Sequence, residues 1–215
     1  MKRLQNLIAA LALLLALTAP ATARAGAFSS WDGSVLGPET QAWNVWVGLP
    51  TIGAHYLQGQ PQAYDFGYGL TFDYLRTTAD ALISVRYSLM DQEEFNLAFT
   101  GRGGLHMNFG ARYADIANAG NVGFVLSPGI ALGMKPHPTY SSFFTLDVPL
   151  LYTFNYGGGW RLPIKMLVGL EYMLTPDMNV VATFGFGPRW EGGGGYVGGF
   201  AFQVESWAGL SFRLF

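Results

Sequence analysis

The sequence predicts an all-β protein, an antiparallel up-and-down transmembrane β-barrel of about ten strands. Apolar residues make up 50% of the chain and charged residues only 12%, about half of the roughly 25% that is usual in soluble domains. After residue 40 the chain alternates between large apolar and small or polar residues, the period of a strand with two different faces. Counts of about eight or twelve strands are the alternatives, because bacterial barrels have even numbers.

The first 25 residues have the pattern of a cleaved secretory leader. Lys2 and Arg3 precede an apolar run over 7–17, and Ala23, Arg24 and Ala25 fit a small-residue cleavage site. This apolar run is shorter than the roughly 20 residues that a membrane-crossing helix needs, and no later segment offers one. A chain that crosses a membrane without helices must close into a barrel to satisfy its backbone hydrogen bonds.

Residues 65–76 show the alternation most clearly. The large side chains of this segment share one face: Phe66, Tyr68, Leu70, Phe72 and Tyr74. The small and charged residues share the other face: Asp65, Gly67, Gly69, Thr71 and Asp73. The same period predicts strands over 42–49, 65–76, 81–89, 95–100, 105–113, 122–134, 144–154, 160–172, 180–186 and 200–214. The divisions fall at Gly-rich or Pro-containing segments, which interrupt a strand ladder.

Charged residues within these strands lie opposite the large apolar residues of their own strand. We therefore expect a lumen charge network of Asp73, Arg86, Arg102, Arg112, Asp147, Lys165, Glu171, Glu205 and Arg213, with Arg161 on the same face. A lipid-facing surface demands this sorting, since Arg or Lys at mid-bilayer costs about 2 to 4 kcal/mol there. The soluble alternative is a β-sandwich or a lipocalin-like barrel, in which the charged face meets water and carries more charge.

Aromatic residues near the predicted strand ends are candidates for the two interfacial girdles of a membrane barrel. They are Trp43, Tyr74, Tyr87, Tyr113, Tyr152, Trp160 and Tyr172. Loops facing outward are expected over 54–64, 114–121 and 191–196, and all three are short. Short loops argue against a large adhesive surface.

The leader, the alternating strands and the last strand together resemble the small outer-membrane β-barrel families of Gram-negative bacteria. The last strand carries the predicted assembly signal of Leu210, Phe212, Leu214 and Phe215, although Phe215 is out of phase with the other three. The resemblance implies residence in the outer membrane, contact with its lipid and lipopolysaccharide, and recognition by the barrel assembly machinery, with a monomer favoured. It divides the chain into a signal peptide over 1–25, an N-terminal periplasmic segment over 26–40 and a barrel over 41–215.

The sequence predicts no enzymatic chemistry. It contains no Cys, which excludes disulfides and thiolate metal sites, and we expect no metal and no cofactor. A lipid hydrolase would need a Ser with a His base, and the chain has only three histidines. We expect His55 and His137 on the surface near loops and His106 in the lumen, with no His-x-Ser motif. The net charge of −2 gives no basic excess for nucleic acid.

The charge network leaves two functional readings and a third that we favour less. In the first, internal ion pairs close a narrow barrel that has a structural, envelope-integrity or surface-interaction role. In the second, the charges line a narrow pore or transporter for small or amphipathic solutes. Barrels of about eight to ten strands have interiors that side chains can fill, which favours the first reading. A lipid hydrolase is the third.

Overall fold

A computed structural model describes residues 28–110, 121–154, 158–193 and 198–214. The leader, Arg112, Tyr113, Phe215, most of the loop predicted over 114–121 and residues 194–196 of the loop predicted over 191–196 lie outside these ranges. The described residues form strands and turns, and none of them belongs to a helix that is long and apolar enough to cross a membrane.

Twelve strand segments build one closed antiparallel sheet. They are β1 (Gln41–Leu49), β2 (Thr51–Gln60), β3 (Tyr64–Asp73), β4 (Thr78–Asp91), β5 (Phe95–Asn108), β6 (Asn121–His137), β7 (Tyr140–Asp147), β8 (Leu150–Thr153), β9 (Gly159–Pro163), β10 (Lys165–Thr175), β11 (Met178–Gly193) and β12 (Gly199–Leu214). β7 and β8 both pair with β6, and β9 and β10 both pair with β11. β7 and β8 are therefore two parts of one interrupted strand, as are β9 and β10, and the barrel has ten strands.

The last strand closes the barrel against the first. β1 pairs with β12 from Gln41 opposite Leu214 to Leu49 opposite Ser206, and every other pairing joins neighbours along the chain. The result is the predicted up-and-down order. We call the end at which β1 begins and β12 ends the terminus end, and the opposite end the mouth.

The predicted number of strands is confirmed, but two of the predicted strand assignments are wrong: one strand was missed and another was divided into two. Residues 54–64, expected as an outward loop, lie mostly in β2, and the turn that follows β2 lies at the terminus end. The segments over 95–100 and 105–113, expected as separate strands, share the single strand β5 as far as Asn108. One missed strand and one divided strand leave the total unchanged.

The two faces of the wall differ as the alternation predicts. Large apolar side chains on the outer face are widely exposed, as Leu70 (66%) and Ile83 (57%) illustrate. Inward positions hold mostly charged, polar and small residues, among them Asp65, Arg86 and Thr145, with a minority of large apolar ones such as Phe143 and Trp207, and these are buried. The barrel is therefore apolar outside and mostly polar inside, the reverse of a soluble domain.

Candidate functional site: a plugged lumen and the cup beside it

The segment before β1 lies inside the barrel. Residues 28–36, which we call the lumen plug, contain the buried side chains Phe28, Trp31, Asp32 and Leu36, and they contact inward residues from strands around the wall. The sequence analysis placed residues 26–40 outside the barrel domain and did not predict this internal position. The wall residues that it contacts lie toward the terminus end: Asp65 and Asn96 near the starts of β3 and β5, and Arg86 and Gly133 near the ends of β4 and β6.

One buried ion pair anchors the plug to the wall. Arg86 of β4 lies opposite Asp65 of β3 and pairs with it, with Nη2 donating to Oδ2 at 2.6 Å. Arg86 Nη1 also donates to the backbone carbonyls of Ser29 at 2.6 Å and Asp32 at 2.8 Å. At the last residue of the plug, the amide of Leu36 donates to Asp65 Oδ2 at 3.1 Å. Both members of the pair therefore hold the backbone of the plug as well as each other.

A second anchor holds the first described residue of the plug. The amide of Phe28 donates to Glu171 Oε1 at 3.2 Å, and Asn179 Nδ2 donates to the same oxygen at 2.6 Å. The guanidinium carbon of Arg213 lies 5.0 Å from the centroid of the Phe28 ring, within the range of a cation–π contact. Two further members of the predicted charge network, besides Arg86, thus contact the plug.

Small residues on the inner face make room for the plug. A Cβ atom at Gly33 would lie 2.6 Å from the Asn96 carbonyl oxygen and 2.8 Å from that of Ala131, so the plug backbone touches the wall there. The carboxylate of Asp32 lies directly over Gly133, where a Cβ would meet its nearer oxygen at 2.5 Å. The inward Gly and Ala residues that the sequence shows as one face of the strands are therefore contact surface for this segment.

On the side of the mouth, Trp31 of the plug packs against Trp46 and Trp207 of the wall. The ring centroid of Trp31 lies 4.1 Å from that of Trp207 and 5.1 Å from that of Trp46, and Trp46 lies 6.0 Å from Trp207. Trp31 and Trp207 are buried together with Phe143, Leu167 and Val181. This cluster, which we call the floor, lies between the plug and the charged residues on the side of the mouth.

A cavity of about 130 Å³, which we call the cup, lies on the mouth side of this floor. Its walls carry the charged residues Asp80, Arg102, Asp147, Lys165 and Glu205 together with Thr51, Thr71 and Ser127. Arg102 lies 3.7 Å from Asp147, and Lys165 lies 3.5 Å from Glu205. Asp80 Oδ1 is bonded to Nδ1 of the buried His106 at 2.6 Å. The cup therefore presents both signs of charge above an aromatic floor.

A second group of charges lies near the mouth itself. Arg76 pairs with Asp73 at 3.1 Å, while Arg161 and Arg189 both contact Glu191, at 3.1 and 3.3 Å. Burial and the neighbouring Arg161 lower the pKa of Arg76, which lies in the turn after β3, from its ordinary value. Three guanidinium groups thus share two carboxylates at this end.

The predicted charge network is divided into three groups in the structure. Arg86, Glu171 and Arg213 contact the plug. Arg102, Asp147, Lys165 and Glu205 line the cup, and Asp73 lies near the mouth. Arg112 lies outside the described residues. The sequence analysis missed Asp32, Asp65, Asp80, Arg76, Arg189, Glu191 and the three tryptophans as members of these groups. Asp65 and Asp80 lie on the same face of the alternating pattern as Arg86, so the alternation alone could have placed both of them in the lumen.

The predicted aromatic residues lie toward the two ends of the wall. Trp43, Tyr87 and Tyr172 lie near the terminus end, and Tyr74, Tyr152 and Trp160 lie near the mouth. Most of these rings are more than a third exposed on the outer face. Of the assembly residues, Phe212 lies opposite Trp43 and Leu210 opposite Val45 in the closing pair of strands.

The histidines do not form a hydrolytic site among the described residues. The expectation that His55 is a surface residue is wrong: it is buried in β2, and its Nε2 lies 2.7 Å from Ser84 Oγ. The cavity beside this Ser–His pair has only about 10 Å³, the size that one water occupies, so a substrate has no room there. His137 is exposed, bonds to Thr139 and stacks on Tyr140.

No protein-family model matches this sequence, and no curated protein matches it either. Within the described ranges no group of three His, Asp or Glu side chains is placed to hold a metal ion. The arrangement of plug, floor and cup is therefore the basis for a functional assignment.

Proposed function

We propose that this chain is an integral outer-membrane β-barrel whose own N-terminal segment closes its lumen. The apolar outer face supports the membrane location, because exposed side chains such as Leu70, Ile83 and Phe202 would be in unfavourable contact with water on a soluble protein. Aromatic rings near both ends of the wall suit the two interfaces of a bilayer. Strands of nine to seventeen residues are long enough to span it.

The plug is the observation that carries the role. A barrel of ten strands is narrow, and the plug lies inside it, held by buried ionic and aromatic contacts. Its role is therefore structural or interactive, serving the integrity of the envelope or contacts at its surface, and no open channel and no catalytic step are part of the proposal. The termini face the periplasm and the mouth faces outward.

Two experiments test the proposal separately. Cell fractionation tests location: we expect the protein with the outer membrane, extracted only by detergent, and faster on gels before heating than after. Recovery in the soluble periplasmic fraction without detergent would overturn the location. Planar bilayers test the role, because a plugged barrel gives no steady ion conductance, whereas steady conductance by the wild-type protein would overturn it. An otherwise identical protein with a loosened plug provides the positive control.

A further inference from the structure

The last strand is longer than the first, and the difference lies at the mouth. β12 has sixteen residues and β1 has nine, and their pairing runs from Leu214 opposite Gln41 to Ser206 opposite Leu49. The remaining residues of β12, 199–205, pair with β11 on one side and with no described strand on the other. We call this stretch the open edge. It continues the closing pair of strands beyond the end of β1.

The open edge presents backbone groups that no described strand pairs. The amide of Arg213 donates to the carbonyl of Asp177, which directly precedes β11, and the register between β11 and β12 runs without a shift. Alternate residues of an antiparallel strand direct both of their backbone groups to the same neighbour. The odd-numbered residues of β12 therefore bond to β11, and Phe200, Phe202 and Val204 direct their amides and carbonyls to the open edge.

The side chains of these three residues are apolar and lie on the outer face, where they are 57 to 65% exposed. Phe200 lies beside Trp190 of β11, with the ring centroids 5.6 Å apart, among the aromatic residues near the mouth. Phe202 and Val204 follow on the terminus side of this aromatic pair, toward the middle of the bilayer. The open edge therefore begins at the membrane interface and continues into the hydrocarbon.

Hydrocarbon cannot satisfy a free strand edge, because it offers no hydrogen-bond partner to the amides and carbonyls. We infer that the open edge binds an extended segment of another polypeptide, which adds an antiparallel strand to the wall beside the end of β1. The added strand makes the same kind of hydrogen bonds to β12 that β1 makes over residues 206–214. This inference rests on the proposed membrane location.

The open edge also defines the chemistry of the partner. Residues directly opposite each other in an antiparallel pair have their side chains on the same face. The partner therefore needs apolar residues opposite Phe202 and Val204, and small or polar residues opposite Ala201 and Gln203. The buried Nε2 of Gln203 makes no hydrogen bond to a described residue, which favours an acceptor at that position. The partner is a strand-forming segment with a period of two.

A second copy of this chain cannot supply that strand through its own open edge. Two barrels with the same orientation in one membrane are related by an axis along the membrane normal. Their strands, each tilted by about 35–45°, would then cross at roughly a right angle and could not pair. The partner is therefore a different segment from residues 199–205 of a second barrel.

A peptide probe tests whether the open edge accepts a strand. The protein has first passed the fractionation and gel-mobility tests, so a failure concerns the edge and not the membrane location. It is placed in nanodiscs of phosphatidylethanolamine and phosphatidylglycerol with a peptide of alternating valine and threonine that carries a terminal benzophenone. We expect photo-crosslinks concentrated at residues 199–205.

Two N-methylated peptides of equal composition provide the matched control. The valines lie opposite the outward residues of the open edge, so their amides bond to β12, whereas the amides of the threonines point away from it. Methylation of the valine amides is expected to lower the labelling at least tenfold, and methylation of the threonine amides to leave it unchanged. Equal labelling by the two peptides, or labelling spread around the wall, would overturn the inference.

Variants test the same hydrogen bonds from the side of the barrel. Val204→Pro removes an amide that faces the open edge and leaves the ladder with β11, whereas Val204→Ala removes most of the side chain and keeps the amide. We expect both to retain heat-modifiable gel mobility, and only Val204→Pro to lower the labelling at least tenfold. Equal labelling of both variants would contradict pairing through the backbone.

Hydrogen–deuterium exchange tests whether a natural partner occupies the open edge. The rate is measured by mass spectrometry on the fragment that contains residues 199–205, in isolated outer membranes and in the purified protein in nanodiscs. We expect the amides of Phe202 and Val204 to exchange at least tenfold more slowly in the outer membranes. Equal rates would overturn the inference, because the edge is then either unoccupied in the membrane or covered by the chain itself.

Discussion

Replacing Arg86 with Met is expected to release the plug while the wall stays folded. Arg86 and Asp65 are 4% and 0% accessible, so removal of the cation leaves a buried carboxylate without its charge partner. Breaking such a pair costs about 3 to 5 kcal/mol. The variant also loses both hydrogen bonds from the guanidinium to carbonyls of the plug. The wall keeps the backbone ladder that joins β3 to β4.

The open population of the plug follows from this cost. If the whole of it falls on the plug, the equilibrium shifts toward the open state by roughly two to four orders of magnitude, since about 1.4 kcal/mol is a factor of ten. Because the chain contains no Cys, Ser30→Cys introduces a single thiol at a buried position of the plug. When the plug recloses faster than the thiol reacts, the rate of its reaction with a water-soluble maleimide is proportional to the population of the open state.

The assay compares three proteins that all carry Ser30→Cys. We expect the thiol to be protected in the parent, to react at least a hundredfold faster with Arg86→Met, and to stay protected with Arg161→Met. The last variant breaks the 3.1 Å contact with Glu191 near the mouth, away from the plug. An unchanged rate in Arg86→Met protein of normal gel mobility would refute the assignment of Arg86 as the anchor. A rise in bilayer conductance should accompany the faster reaction.

Three further predictions test the plug and the outer face. Gly33→Val should expose the same thiol, because its Cβ would lie 2.6 Å from a backbone carbonyl of the wall, whereas Gly37→Ala, whose nearest neighbour is at 3.7 Å, should not. Trp31→Ala should lower the unfolding free energy by about 3 to 5 kcal/mol in urea titrations followed by gel mobility; a loss below about 1 kcal/mol would contradict its role in the floor. Ile83→Arg should destabilise the barrel in lipid by about 2 to 4 kcal/mol and Leu75→Arg, in a turn, hardly at all; equal tolerance of both would indicate a water-facing surface.

The alternation predicted the class of fold, but the same rule concealed β2. That strand carries Leu57 on its inner face, where Leu57 joins a buried cluster with Phe28, Leu36 and Ala42. An apolar residue facing inward contradicts the pattern of a polar lumen, and the outward Gln58 weakens the opposite face. Leu57 faces inward because it packs against the plug, and Gln58 lies close to the end of β2. The period-two pattern therefore fails where a third element packs inside the barrel.

The plug itself had no periodic pattern from which to predict it. Residues 28–36 mix two large aromatics with serines, glycine and one aspartate, a composition that is also typical of a loop. The informative pattern was on the wall, where Gly133, Ala98 and Ala131 leave space on the inner face that their own side chains do not fill. Interiors are close-packed, so a small inner face in a narrow barrel predicts an inserted segment.

The accessibility of each ion pair separates structural charges from charges that are available to a ligand. The pair of Arg86 with Asp65 is buried and also bonds to the backbone of the plug, so removing either partner would cost several kcal/mol. The pair of Lys165 with Glu205 is longer, at 3.5 Å, and is partly exposed. The pair is therefore more open to solvent than the pair of Arg86 with Asp65. The lumen charges, which the sequence presents as one set, therefore hold the plug on one side of the tryptophan floor and line a partly accessible cavity on the other.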